Sequence, residues 1–230
     1  MNPYSHLVIA AQVEPLLAPE DPSDYYWGAV APDIRYVAGM RRSRTHLSAQ
    51  RILGFIPQYP HLQSFIHGYL VHCIADEIDL EDVFFARLPF SALETRLPRQ
   101  HLAVLLELFY VEKEPVDVKI SGRHNDLLRA LGVGATDTAR LAEFVDRYRD
   151  PVPLDARITE LVRLLGLDED PRIEKYAAAA RSFEEKWLLK NALFLGIRMG
   201  RIDAALISQV SARLQAIPAF EAAPDPAAAA

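Results

Sequence analysis

Phe65, Tyr69, His72 and Asp76 lie 4, 3 and 4 residues apart, so on a helix they share one stripe. The intervening Ile66, Leu70, Cys73 and Ile74 are apolar, and no Lys or Arg occurs in the segment His61 to Asp79. A helix over that segment is therefore expected to be buried on every side. A buried carboxylate is costly unless it is paired or binds a cation, and two ligand-type side chains at i and i+4 reach a single metal ion. Similar donors occur elsewhere. Asp33 follows Pro32 in the apolar run Trp27 to Ile34, His46 comes 13 residues later, and His6 sits in the first turn of an N-terminal helix. Asp33, His46, His72 and Asp76 together carry the nitrogen and oxygen donors of a four-ligand Zn2+ or Fe2+ site, with His6 and a bridging Asp76 available to a second ion. Asp33 or Asp76 would then orient or deprotonate a bound water. Arg41, Arg42 and Arg44 fall between two of these candidate ligands, where they would clamp a phosphate. The simpler alternative is a His72 to Asp76 hydrogen bond in a helical core, with the arginines on a solvated surface.

The elements that must position these residues read as helices almost throughout. Asn2 and Pro3 have the form of an N-cap and first helical residue for a helix ending near Leu17, before Pro19 and Pro22. Thr45 is placed to cap a helix through Ile52, Leu53 and Ile56. Further helices are expected at Pro98 to Val111, Asn125 to Leu131, Thr138 to Arg149, Asp155 to Leu164, Arg172 to Met199 and Asp203 to Ile217. Val116 to Ile120 alternates like a strand but has no second run to pair with, so it reads as an extended linker. The expected fold is all-α: a compact bundle of about eight to ten helices around a buried central helix carrying HxxxD. Residues 1–217 form one domain, with a C-terminal helical subdomain set off from about residue 154, and residues 218–230 read as a low-complexity tail.

Composition narrows the function classes. The chain has 230 residues, 50% of them hydrophobic and 24% charged, which suits a globular protein with a sizeable core. A net charge of -6 argues against wrapping duplex nucleic acid, so an anionic ligand needs a local cationic site. The N-terminal residues lack the basic region of a signal peptide, and no window approaches the roughly 18 to 20 apolar residues of a membrane span. The cytoplasm is the expected compartment. Cys73, the single cysteine, reads as a small buried hydrophobe. His61 and His67 lie off the His72 stripe, Tyr25, Tyr26 and Trp27 read as core, and the segment containing Trp187 reads as a packing or homodimer helix rather than a membrane-surface one.

Three pieces in order resemble the zinc-dependent phospholipase C family, which is related to the single-strand-specific zinc nucleases. They are His6 before an Ile-Ala helix, Gly28-x-x-x-Pro32-Asp33-Ile34 followed by His46, and Phe65-x-x-Gly68-Tyr69-Leu70-x-His72-x-x-x-Asp76. The resemblance covers roughly the first third of the chain. It implies a compact helical fold in which Asp33, His46, His72 and Asp76 enclose one zinc ion and His6 with Asp76 holds part of another. The family's further histidine and HxxxE pair have no counterpart: Asp82 stands near the expected histidine, and His101 and Glu107 are out of register. The implied activity is hydrolysis of a small phosphate ester. Two other readings suit the same residues: a non-hydrolytic binding protein stabilised by a metal or a polar network, and an oxygen-using non-haem iron enzyme, with iron or manganese in place of zinc.

Overall fold

The computed structural model describes residues 2–87, 99–114, 116–149, 156–157, 159 and 171–218. The fold is all-α, a multi-helix bundle with no strand among the described residues. No helix among them is long and apolar enough to cross a membrane.

The N-terminal half builds the site. Helix α1 spans Pro3–Leu17, starting on Pro3 as a pre-set first residue and ending at Ala18, whose left-handed backbone (φ 42) donates back to the Glu14 carbonyl. Asn2 holds the N-cap position, but its side chain makes no capping bond. Helix α2, Pro22–Val30, was not anticipated from periodicity, yet Asp21-Pro22 repeats the cap-and-proline signal: Asp21 Oδ1 accepts from the amides of Ser23 and Asp24. A 3-10 turn, Ala31–Asp33, and two short helices, α3 (Ile34–Val37) and α4 (Arg42–Thr45), lead to α5 (Ala49–Leu53). Another 3-10 turn, Pro60–Leu62, enters α6 (Gln63–Asp76). Every residue of α6 from Ser64 to Ala75 is buried, as its apolar stripes require, and it packs most extensively on α2 and also on α1 and α5.

The remaining helices are α7 (Leu80–Phe85), α8 (Arg99–Lys113), α9 (Asp126–Ala130), α10 (Ala135–Tyr148), α11 (Pro171–Glu185), α12 (Trp187–Met199) and α13 (Ile202–Gln215). Helices α8 and α13 both lean on α1, so the central pair α2 and α6 is enclosed. Residues 116–120 run without regular structure, as a strand lacking a partner must.

Three local expectations need correction. Thr45 does not cap a helix running to Ile56; it ends α4, and its hydroxyl sits 3.1 Å from His46 Nδ1 while its carbonyl accepts from the Tyr69 hydroxyl. The central helix stops at Asp76 rather than Asp79, because Asp79 caps α7 by accepting from the Glu81 amide at 2.9 Å. The helix expected from Arg172 to Met199 is two, broken at Lys186 (φ -102, ψ 53). No Gly or Pro marks that break. It follows instead from packing, since α11 lies on α8 while α12 also lies on α13. Most of the Asp155 to Leu164 helix, the boundary near 154 and nearly all of the C-terminal tail fall outside the described residues.

Candidate metal centre

Two glycines set the frame. A Cβ on Gly28 would lie 2.0 Å from the Phe65 carbonyl oxygen, and one on Gly68 would lie 1.8 Å from the Tyr25 carbonyl oxygen, so α2 and α6 touch backbone to backbone. The contact brings the Ala29 carbonyl 2.8 Å from His72 Nδ1. A carbonyl only accepts, so Nδ1 carries the imidazole proton and Nε2 presents a lone pair to the centre of the cluster. A metal-binding histidine commonly uses its other nitrogen in this way.

Around His72 Nε2 stand His46 Nε2 at 3.3 Å and Asp33 Oδ1 and Asp76 Oδ2, each at 4.0 Å. His46 Nε2 is 3.0 Å from Asp76 Oδ2, and its Nδ1 faces the Thr45 hydroxyl. That hydroxyl lies 3.4 Å from the Arg42 carbonyl; where it donates there and accepts from His46 Nδ1, His46 Nε2 presents a second lone pair, and in the other tautomer Nε2–H donates to Asp76 Oδ2. His6 stacks on His72 with ring centroids 3.7 Å apart and rings 15° from parallel. His6 Nε2 is 3.3 Å from Asp76 Oδ1, but neither of its buried ring nitrogens completes a hydrogen bond with a described residue. The His72 Nε2 lone pair thus faces His46 Nε2 and two carboxylate oxygens, an arrangement that a cation relieves, and Arg42 Nη1 reaches Asp76 Oδ2 from one side at 2.9 Å.

The donor set fits a metal ion. His6, Asp33 and His72 form one group, and His46, His72 and Asp76 a second, with the donor atoms of each within 4.8 Å of one another. Tetrahedral zinc with bonds of about 2.0 to 2.1 Å to nitrogen puts neighbouring ligand atoms about 3.3 Å apart. The His46–His72 spacing of 3.3 Å meets that value, the His46–Asp76 spacing of 3.0 Å lies close to it, and the His72–Asp76 spacing of 4.0 Å is longer. His72 has one lone pair, so the two groups cannot both engage it.

Burial lowers the pKa of His6, His46 and His72, His72 most of all, which keeps the imidazoles neutral and able to bind metal near pH 7. Burial, reinforced by the Asp76 charge, raises the Asp33 carboxyl to about 6. Burial also works to raise Asp76, but the positive charge around it outweighs burial and holds it well below the usual carboxylate range.

The structure thus brings His6, Asp33, His46, His72 and Asp76 into one cluster from four parts of the chain. Of the arginine run, Arg42 reaches it, with Nη1 2.9 Å from Asp76 Oδ2, while Arg41 and Arg44 are exposed. Sequence reading missed Arg35, whose Nε lies 3.9 Å from Asp33 Oδ1 and whose guanidinium stacks on Tyr36; its one signal was a cation two residues after the acid. His61 lies at the surface near Asp126, His124 meets Thr138 Oγ1 at 3.0 Å, and Cys73 is buried with its thiol pushed up to about 12 by burial. Tyr25 and Trp27 are core residues, bonded through their polar tips to the carbonyls of Ala10 and Arg123. No known protein-family model, curated protein or solved structure matches the chain.

Proposed function

We propose that the chain is a metal-dependent hydrolase of a phosphate ester, similar in its chemistry to the zinc-dependent phospholipases C, with zinc held by the His/Asp cluster. The observation that carries this reading is the convergence of neutral imidazole lone pairs on two buried carboxylates, with His72 locked by the Ala29 carbonyl into the tautomer that binds metal. His46, His72 and Asp76 would hold one ion, and His6 with Asp76 Oδ1 part of a second. When bound, zinc would supply a water of near-neutral pKa and polarise a phosphoryl oxygen.

The chain's own residues contribute the rest. Asp33 is the better proton acceptor of the two acids, because burial and the Asp76 charge leave it more basic than an ordinary carboxyl. Arg42, with Arg41 and Arg44 beside it in sequence, supplies positive charge for an anionic ester at the open side of the cluster. The helices enclosing the cluster exclude bulk water and strengthen these interactions.

Protein purified without chelator is expected to contain about one equivalent of zinc or more and to turn over a chromogenic phosphodiester, with turnover abolished in His72→Ala and Asp33→Asn. A second reading has one specific observation in its favour. The Arg42 and His46 contacts to Asp76 Oδ2 neutralise that carboxylate without an ion, as a polar network stabilising the bundle would. Absence of bound metal, together with no gain in stability on adding Zn2+, Fe2+ or Mn2+, would select the second reading.

A further inference from the structure

The geometry points to Arg42 as a built-in competitor of the metal ion: guanidinium and ion claim the same oxygen of Asp76, and loading the site releases Arg42 to bind the substrate anion. This inference rests on the metal-site reading above. Asp76 Oδ2 has two lone-pair directions. Arg42 Nη1 takes one at 2.9 Å, and His46 Nε2, 3.0 Å away, marks the side from which an ion reaches the other. An ion held between Oδ2 and His46 Nε2 would draw off the negative charge that holds Arg42 and repel a guanidinium on the same atom. His46 is the partner that stays, since its side chain is 8% exposed and its Nδ1 is tied to the Thr45 hydroxyl. Arg42 is the one that can leave, because its side chain is 48% exposed while Asp76 is 5% exposed.

The backbone remains fixed during that exchange. The Arg42 carbonyl accepts from the His46 amide at 2.8 Å, so only the side chain needs to move. Once detached, the guanidinium stays anchored four residues before a metal ligand. There it offers two parallel N–H donors to a phosphate or phosphonate oxygen pair, which a carboxylate-bound arginine cannot do at the same time. The site is thereby matched to anions that arrive after the metal. One residue would weaken metal binding and strengthen anion binding.

Removing Arg42 should therefore move the two affinities in opposite directions. Zn2+ affinity of the full chain is measured by competition with a chromophoric chelator, and inorganic phosphate binding to the zinc-loaded protein by calorimetry. Arg42→Met is expected to bind Zn2+ about tenfold more tightly than the unaltered protein and phosphate about tenfold more weakly. Arg51→Met removes the same charge from an exposed position on α5 and is expected to leave Zn2+ affinity unchanged. Unchanged or weaker Zn2+ binding by Arg42→Met, in a protein whose Zn2+ binding is lost in His72→Ala, overturns the competition alone. No Zn2+ binding by the unaltered protein, or equal binding by His72→Ala, overturns the metal site and the competition with it. Equal tightening in Arg51→Met assigns the effect to net charge and also overturns the role given to Arg42.

Discussion

Consecutive residues at the start of α1 enter two buried polar clusters of opposite character. Tyr4 and Ser5 donate to Glu107 of α8, whereas His6 turns into the His/Asp cluster. Glu107 is fully buried and saturated. One oxygen accepts from the Tyr4 amide at 3.0 Å and the Tyr148 hydroxyl at 2.9 Å, the other from the Ser5 amide at 2.8 Å and the Ser5 hydroxyl at 2.5 Å. Four donors meet four lone pairs, and the α1 N-terminus gains the cap that Asn2 does not provide. In the His/Asp cluster, His46 and His72 turn Nε2 toward each other at 3.3 Å, and both ring nitrogens of His6 lack a hydrogen bond to any described residue. A carboxylate supplied with enough donors holds the fold together. One surrounded by lone pairs calls for a cation, and the two cases are told apart by the direction in which substitutions move stability.

The largest effect is expected at Glu107. Glu107→Ala strands four buried donors at about 1 to 3 kcal/mol each before relaxation, so a loss of about 4 kcal/mol should appear in urea unfolding. A loss below about 1 kcal/mol would remove the contrast, because Glu107 would then not be anchoring α1. Gly68→Ala comes next at about 3 kcal/mol, since its methyl group meets the Tyr25 carbonyl oxygen at 1.8 Å and neither backbone can yield easily. Its effect should be local. The Ala29 carbonyl separates from His72 and the Nδ1-H tautomer signal is lost in nitrogen NMR, while the contacts between α1 and α8 at Glu107 persist.

Much of the His/Asp cluster was legible in the sequence because its chemistry is carried by residue type. Asp33 and Asp76 lie in apolar segments, Asp76 with no cation in its helix, and the stripe from Phe65 to Asp76 fixes the face of α6 that His72 and Asp76 share. The Glu107 hub was not legible, since its donors come from backbone amides and a tyrosine that are distant in sequence. Nor could spacing separate Arg42 from Arg41 and Arg44. The direction of each side chain depends on the four-residue helix α4, whose last residue, Thr45, accepts from the Tyr69 hydroxyl, a partner distant in sequence. Gly28 and Gly68 were visible as letters, but their necessity comes from the distance between two backbones. The break at Lys186 has no local signal and reflects tertiary packing alone.

Asp33→Asn should shift stability the other way from Glu107→Ala. Burial and the neighbouring Asp76 charge make the ionised Asp33 unfavourable, so the neutral amide is expected to stabilise the chelator-treated protein by about 2 kcal/mol at pH 7.5. The same change should abolish phosphodiester turnover by the zinc-loaded protein. A gain in stability joined to a loss of turnover identifies a position kept for chemistry rather than for the fold. Destabilisation in the presence of chelator would place Asp33 with Glu107 among the anchors.

Taken per titrating group, the smallest effect is the dependence on pH, and its sign separates the two kinds of cluster. The folded chain keeps His6, His46, His67 and His72 below the ordinary histidine value because burial disfavours their charged forms. Below about pH 6.5 the unfolded chain therefore binds protons that the folded chain refuses, and stability falls with falling pH. Asp33 works in the opposite sense. Its carboxyl is raised to about 6, so between there and the ordinary value of 3.8 the folded chain binds a proton that the unfolded one does not, offsetting one histidine. Urea unfolding of the chelator-treated protein from pH 7 to pH 5 should show a net loss of about 1.4 kcal/mol per pH unit for each uncompensated proton. In Asp33→Asn the loss should steepen below pH 6, where the offset is gone. A flat profile would mean that the histidines already carry protons shared with Asp33 and Asp76. The cluster would then be donor-saturated like Glu107, and it would have no need of a metal ion.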